Sequence, residues 1–550
     1  MKKIHSLPEK FFLEIFFAVF AGFFLVASVF MPDRADMFTG LWKIITSPCK
    51  APTSYFAIGG LAATFLNMGL VGFCCLALFV GFKVKVNNVS TLAFILTTSF
   101  GSWGINILNM WPSMFGVMLY GYVHKEKLST LVHAMLFSTG LAPLISELLL
   151  RYPNPETVGF SFFGVFMTLV VGGFIGFFLP VGLANSPKIH KGFTLYSAAL
   201  PIGMTAFFLN AALFKTTGFE LPDLPDTLAV TAPVICNVFC ILLFTTCIVA
   251  ARLMGCTMKA YWRLLTDDKT IWDFSSYYGK HVFLMNVGVF GLFILAYYNL
   301  IGAPFNGVTF GIVICMLATC NSGSHPGNVW PIMLGYLLAN IIFGTFSFLI
   351  GGDFVTPLSS QSIIVGLCYA NGLSPIADKY GWKQGVIAAF LHYLLVTSVP
   401  NLHGGFCLYN GGFTAALVCI FLLPKLERYC QLKEPHRQRK TEDGHYDGKF
   451  KGPNPVHLGP VHGIVHDAEE LVHHVQHAGG EVVHQAGELV HQAGEIVHHA
   501  GDELVHHAED LVHHAGDLVH QVGHHLHLDK DRKQDIDPGQ TEEDDQVSTK

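Results

Sequence analysis

Long apolar stretches alternate with short polar connections from the N-terminus to about Pro424. A membrane-spanning helix needs about 20 mostly apolar residues. Two apolar stretches, 91–123 and 308–351, are interrupted in the middle by Gly, Asn, Ser and Pro. The uninterrupted stretches are 11–31, 55–82, 129–150, 158–182, 193–214, 227–251, 281–300, 361–377, 385–400 and 406–424. The pattern predicts an all-α polytopic membrane protein with about ten spans plus two re-entrant hairpins.

The composition agrees with a membrane location for most of the chain. Hydrophobic residues make up 51% of the 550 residues and charged residues 13%, whereas soluble proteins carry about 25% charged residues. Residues 425–550 hold 12 Lys and Arg and 24 Asp and Glu, which gives this segment a net charge of −12. Residues 1–424 therefore carry a net charge of +6. A soluble enzyme, a secreted disulfide scaffold and a nucleic-acid binder are excluded. Because no HExxH motif, P-loop or nucleophile–base pair is present, we expect no enzyme.

The distribution of Lys and Arg predicts how the chain crosses the membrane. Basic residues concentrate in cytoplasmic loops. Lys2, Lys3 and Lys10 place the N-terminus inside, and Lys188 and Lys191 place the loop 183–192 inside. The loop 401–411 has no charge and is predicted outside. Both termini are therefore predicted to be cytoplasmic.

The chain contains an internal duplication, in which matching residues recur at one constant offset. That offset pairs Asn67 with Asn286, and it also pairs Gly104 with Gly323, Asn109 with Asn328, Trp111 with Trp330 and Pro112 with Pro331. Further on, Gly140 and Pro143 match Gly372 and Pro375, and the HxGFxLY segment 190–196 matches 403–409. An odd number of predicted spans separates the two copies, so we expect them to face opposite ways.

These boundaries divide the chain into seven segments. The predicted segments are an N-terminal span and outer loop (1–54), copy one (55–214), a connecting span and cytoplasmic loop (215–280), copy two (281–424), a linker (425–460), a His-rich helix (461–528) and an acidic tail (529–550).

The interrupted stretches are the predicted binding region. Irregular backbone at membrane depth is tolerated only inside protein or beside an aqueous cavity. The helix ends at such breaks present N–H groups to an anion or carbonyls to a cation. We expect the four breaks, marked by Gly104, Pro112, Gly323, Pro331, Gly140, Pro143, Gly372 and Pro375, to converge near the midplane. The predicted substrate ligands are Asn109 and Asn328, followed by Ser102, Asn106, Asn321 and Ser322.

Two histidines lie in the interior of predicted spans. Intramembrane ionisable groups are candidates for function, so His133 and His392 are candidates for proton coupling. A hydrogen bond between helices is the alternative role for each.

The C-terminal segment is rich in histidine, with 20 of the 28 in the chain. Its near-heptad pattern predicts an amphipathic helix, which is suited to self-association. Histidine and aspartate at i,i+4 spacing can share a Zn²⁺ or Ni²⁺ ion, although no closed four-ligand set exists, and a solvated polar face is the alternative. The candidate metal ligands are His473, His477, His506, Asp510, His513, Asp517, His520 and His524. No other cofactor is expected.

The repeated Trp-Pro breaks and HxGFxLY segments resemble an uncharacterised family of bacterial integral membrane proteins, a duplicated domain of unknown function. The resemblance covers roughly 55–424 and implies a location in the bacterial cytoplasmic membrane, but no activity or site residues. One hairpin and one interrupted helix per copy are loosely similar to the architecture of divalent-anion/sodium symporters. No sodium-site signature of those transporters is present.

Inverted repeats are a recurrent architecture of secondary transporters. The leading hypothesis is a secondary transporter of a small organic anion, coupled to Na⁺ or H⁺. A divalent-metal transporter or metal-responsive membrane protein is the first alternative, and a non-transporting membrane anchor is the second. The expected partners are the lipid bilayer and a small anion or ion, with no nucleic acid.

Overall fold

The computed structural model describes residues 11–154, 156–219, 226–267 and 271–438, with side chains to 428. Nineteen α-helices and no strand occur in these ranges. The helices of the first half are α1 Phe12–Phe30, α2 Met37–Ile45, α3 Tyr55–Gly81, α4 Asn88–Phe100, α5 Trp111–His124, α6 Leu128–Ser138, α7 Ala142–Leu150, α8 Phe162–His190 and α9 Ala199–Asn210. The others are α10 Pro233–Leu253, α11 Met258–Thr266, α12 Phe274–Tyr277, α13 Lys280–Leu300, α14 Gly307–Cys315, α15 Pro326–Leu349, α16 Gln361–Ala370, α17 Ser374–Tyr380, α18 Trp382–Val396 and α19 Asn410–Gln438.

The prediction of an all-α polytopic membrane protein is confirmed. Within the described ranges, eight helical segments are long and apolar enough to cross a membrane. They are α1, α3, α6 with α7, α8, α10, α13, α15 and Asn410–Arg428 of α19. The predicted spans 193–214, 361–377 and 385–400 correspond to shorter or interrupted helices. Pro375 explains one interruption, because it lies in the first turn of α17 and cannot continue the hydrogen bonding of α16.

The two copies begin their interrupted stretches in the same way. Asn87 caps α4 by accepting a hydrogen bond from the Ser90 N–H, and Asn306 caps α14 by accepting one from the Thr309 N–H. Asparagine is favoured at this position because its side chain satisfies a free amide of the first turn. The equivalence extends beyond the copies defined from the sequence. Gly69 of α3 packs against α1, and its counterpart Gly288 of α13 packs in the same way against α10.

Each interrupted stretch returns to the side from which it enters. Ser90, at the start of α4, lies 2.8 Å from Nε2 of His133 in α6. Gly121, near the end of α5, packs against Leu131 of α6. The two ends of this stretch therefore lie beside the same helix start, which is the geometry of a hairpin.

The second copy has the corresponding contacts. Asn306 donates to Gln361 at the start of α16 over 2.8 Å. Asn340 of α15 accepts from the Leu358 N–H, three residues before α16, over 2.9 Å. The second interrupted stretch therefore also returns to the level at which it begins.

Helices α4 and α14 run antiparallel to each other. The Gly307 N–H at the start of α14 donates to Ser54, and the neighbouring Tyr55 N–H donates to the carbonyl of Ser102, just after α4. Beyond the other end of α14, the amide of Asn321 donates to Thr91 at the start of α4 over 3.2 Å. Equivalent helices of the two copies therefore lie side by side and run in opposite directions.

Aromatic side chains fill the core beside this helix pair. The ring of Phe310 in α14 lies 5.0 Å from Phe65 in α3 and 5.5 Å from Phe239 in α10. Phe24 of α1 lies 4.9 Å from Phe239. Ring pairs at these separations add about 0.5–1.5 kcal/mol each beyond simple burial. This packing fixes the second hairpin against α3 and α10.

Candidate functional site

The first break is the turn 101–110 between α4 and α5. Asn67 of α3 donates to the carbonyls of Gly101 and Ile105 over 2.7 and 2.8 Å. Within the turn, the Asn109 side chain accepts from the Asn106 N–H, and the Asn106 side chain accepts from the Asn109 N–H, both over 2.8 Å. Side-chain amides thus bond the backbone groups that lose their helical partners at the break. These groups need partners because they are buried.

The second break is the turn 320–325 between the 3₁₀ turn that follows α14 and the start of α15, and it uses the same device with the equivalent residues. Asn286 donates to the carbonyls of Cys320 and Ser324 over 2.9 and 3.0 Å. Asn328 accepts from the His325 N–H over 3.0 Å. The returning helices differ in length, however. Pro112 lies in the first turn of α5, whereas α15 begins at Pro326, because His325 caps it five residues before Trp330. Pro331 consequently lies inside α15 rather than in its first turn.

A shorter 3₁₀ interruption in each copy lies beside the main break. It separates α6 from α7 at Thr139–Leu141 and α16 from α17 at Asn371–Leu373. Asn109 donates to the hydroxyl of Ser146 in α7, and Asn328 donates to the carboxylate of Asp378 in α17, both over 2.9 Å. The equivalent positions thus carry a neutral group in copy one and an acidic group in copy two.

The HxGFxLY segments connect the copies to each other. The Leu195 N–H of copy one donates to the carbonyl of Gly372 over 3.0 Å, and the Leu408 N–H of copy two donates to the carbonyl of Gly140 over 2.9 Å. Each bond is the counterpart of the other, because Leu195 and Leu408 are equivalent residues, as are Gly140 and Gly372. The breaks therefore form two pairs, each covered by a segment of the opposite copy.

Three tyrosines connect these two pairs of breaks. The ring of Tyr369 lies 5.0 Å from Tyr196 and 6.2 Å from Tyr409. The Tyr369 hydroxyl donates to the carbonyl of Leu408, and the Tyr196 hydroxyl donates to the carbonyl of Cys368. The Tyr409 hydroxyl is buried and has no hydrogen-bond partner within the described part of the chain. It is a donor that a polar ligand at this point would satisfy.

The predicted substrate ligands all lie at the two breaks, but in two groups. The side chain of Asn106 accepts from the Asn109 N–H, and those of Asn109 and Asn328 donate to the carbonyls of Gly104 and Gly323 in their own breaks. Asn321 accepts from the Ser275 N–H over 2.8 Å. Ser102 donates to the Ser99 carbonyl, and Ser322 is buried in the second break. In this conformation the asparagines shape the turns, and their role as substrate ligands stays a prediction.

The two intramembrane histidines both join helices. His133 of α6 bonds Ser90 of α4 over 2.8 Å. His392 of α18 bonds the hydroxyl of Tyr336 in α15 and the Gly411 carbonyl in α19, each over 2.7 Å. These contacts match the alternative role of helix-to-helix hydrogen bonding. Proton coupling through either histidine stays a prediction.

One ion pair that lies near the first break was not predicted from the sequence. Glu147 and Arg151 of copy one form two hydrogen bonds of 2.8 Å. They are the only Asp, Glu, Lys or Arg residues that are buried within the described ranges. The sequence feature that could have predicted this pair is its i,i+4 spacing at the end of an apolar helix.

Metal binding receives no support from the described residues. No group of three or more His, Cys, Asp or Glu side chains within them is arranged to hold a metal ion. The eight candidate metal ligands of the C-terminal segment, together with the predicted His-rich helix and acidic tail, lie outside the described residues. Most of the predicted linker does so too, although its first residues, 425–438, continue α19.

The fold and its paired breaks define an integral membrane protein built from a duplicated helical unit. A family profile described as "Protein of unknown function (DUF1576)" matches residues 33–215 and again 253–428. The chain belongs to this family, which confirms the predicted resemblance to an uncharacterised duplicated family. Both matches begin just before an amphipathic helix, α2 in the first and α11 in the second. Neither a curated protein nor a solved structure matches the chain.

Proposed function

We propose that the protein is a secondary transporter whose two copies have opposite orientations in the membrane. The observation that carries the proposal is a pair of equivalent backbone hydrogen bonds between the copies. One runs from Leu195 to Gly372 and the other from Leu408 to Gly140. Each copy closes over the breaks of the other. When equivalent halves interlock in this way, exchanging their conformations gives a second state of similar energy. That is the basis of alternating access in inverted-repeat transporters.

The proposed substrate is a small organic anion, with Na⁺ or H⁺ as the coupling ion. A divalent metal needs several carboxylate, imidazole or thiolate ligands. Among the described residues, the buried carboxylate of Glu147 is bonded to Arg151, and the carboxylate of Asp378 at the second break is bonded to Asn328. The buried donor of Tyr409 instead suits a ligand that accepts hydrogen bonds. This chemistry favours an anion over the alternatives of a divalent-metal transporter and a membrane anchor.

Uptake into proteoliposomes tests the activity. The full chain should accumulate a labelled carboxylate when an inward Na⁺ or H⁺ gradient is imposed, and accumulation should stop when the gradient is dissipated. A chain truncated after Gln438 should retain this uptake, because the paired breaks lie before that residue. Accumulation of Zn²⁺ or Ni²⁺ in place of any anion, lost on truncation, would favour the metal alternative. Failure to accumulate any solute would favour the anchor.

The opposite orientation of the copies has its own test. Lys188 and Asn401 occupy equivalent positions before the two HxGFxLY segments, and both are exposed. In a cysteine-free background, Asn401→Cys should react with a membrane-impermeant maleimide from outside the cell. Lys188→Cys should react only after permeabilisation, since the proposal places it and both termini in the cytoplasm of a bacterial cell. Labelling of both positions from the same side would contradict the inverted arrangement.

A further inference from the structure

Two short amphipathic helices, α2 and α11, occupy equivalent places ahead of the two copies. Phe38 and Trp42 of α2 are exposed, as are Met258 and Trp262 of α11, at the same four-residue spacing. The opposite face of each helix is buried. Amphipathic helices with an exposed tryptophan are typical of the boundary between lipid and water.

Helix α11 is held against the membrane part by its buried face. The Tyr261 hydroxyl donates to Asn286 of α13 over 3.3 Å, and Leu264 is buried. The turn that leads from α10 is closed by Arg252, whose guanidinium donates to the Cys256 carbonyl over 2.9 Å. The helix is therefore fixed with Trp262 and Met258, 66% and 61% exposed, facing outward.

The two helices differ in their charge. Lys259 and Arg263 of α11 are exposed, and neither makes an ion pair or a side-chain hydrogen bond within the described residues. The nearest acid along the sequence, Asp267, accepts a hydrogen bond from Tyr278. In α2, the equivalent of Lys259 is Thr39. Lys43 of α2 and Arg34 of the preceding turn are balanced by Asp33 and Asp36 of that turn. Of the two helices, α11 thus combines exposed apolar side chains with an excess of positive charge.

We propose that α11 forms a binding site for the headgroup of an anionic phospholipid. Trp262 and Met258 enter the acyl boundary, while Lys259 and Arg263 bind the phosphate. A guanidinium donates two parallel hydrogen bonds to phosphate oxygens, and an ammonium adds a point charge. Helix α2 has the same apolar contacts without the net charge, so it contacts lipid without selecting anionic headgroups. The site depends on the membrane location of the chain and is independent of transport.

The test measures binding of fluorescent phosphatidylglycerol and phosphatidylcholine to the purified, delipidated full chain. The wild-type protein should prefer phosphatidylglycerol, and added salt should reduce the preference. Lys259→Gln with Arg263→Gln should lower the affinity for phosphatidylglycerol roughly fivefold for each charge removed. Affinity for phosphatidylcholine should not change. The matched pair Arg34→Gln, just before α2, with Lys43→Gln, in α2, should have little effect on either lipid.

A charge-preserving variant guards against a folding artefact. Lys259→Arg with Arg263→Lys should keep most of the preference and the melting temperature of the wild type. An undiminished preference in the glutamine variant would overturn the proposal. So would an equal loss in the α2 variant, or a loss of both lipids together.

Discussion

Gly176→Ala is expected to destabilise the protein more than almost any other single methyl addition. Gly176 of α8 faces α5, where an added Cβ would overlap the carbonyl of Ser113 and the N–H of Val117. These are backbone atoms, so the helices themselves would have to separate. Gly172, one turn earlier, meets Pro112 in the same way. Small residues four apart are typical of closely packed membrane helices.

The expected loss is about 1–3 kcal/mol in the free energy of unfolding, the range for overpacking a tight interior. Gly173 gives a matched control on the same helix, because a Cβ there meets no atom within 4 Å. Gly173→Ala should leave stability unchanged or raise it by up to about 1 kcal/mol, since alanine is the better helix former. Thermal unfolding in detergent measures both. Equal shifts for the two variants would contradict the close α5–α8 packing.

The second copy contains the equivalent of the α5–α8 contact, formed by α15 and α18 with different residues. Gly335 of α15, equivalent to Gly116 of α5, lies against Val386 and Ala389 of α18. Ala389 occupies the place of Gly176 and is fully buried. A methyl group therefore already fits at this position in copy two, so the α15–α18 contact is less restrictive there. The helix pair is thus present in both copies, with glycine at this position in the first and alanine in the second.

The fold class and the duplication could be predicted because their signals are local. Apolar runs of span length identify helices directly. The constant offset pairs Asn67 with Asn286 in the sequence, and the two residues make equivalent hydrogen bonds in the structure. The equivalence of α1 and α10 carried no such signal. Those helices share only hydrophobicity, and the contacts of Gly69 and Gly288 reveal their relation.

The helix breaks could be located from the sequence, but their arrangement in space could not. The Gly, Asn and Pro residues correctly marked the breaks, because these residue types disfavour a continuous helix. The sequence does not show which loop covers which break. That arrangement depends on contacts between residues far apart in the sequence, such as Leu195 and Gly372. The start of α15 was also missed. His325 caps the helix with its ring nitrogen, a role more usual for Ser, Thr, Asp or Asn.

Arg151→Met is expected to destabilise the protein by about 3–5 kcal/mol, because it leaves the buried Glu147 carboxylate without its partner. Replacing both residues, as Glu147→Leu with Arg151→Met, should restore most of that loss, since an apolar pair needs no desolvation of charge. The exposed pair Lys191–Glu427, with a similar separation of 2.7 Å, is the control. Lys191→Met should change stability by at most about 1 kcal/mol.

The double-mutant cycle also separates a structural role of the Glu147–Arg151 pair from a functional one. If the pair only stabilises α7 beside Ser146 and the first break, the apolar double variant should be folded and should transport at the wild-type rate. If the substrate anion competes with Glu147 for Arg151, the double variant should be equally stable but inactive, because the cation next to the break is gone. Full additivity of the two single losses in melting temperature would contradict a direct interaction between the side chains.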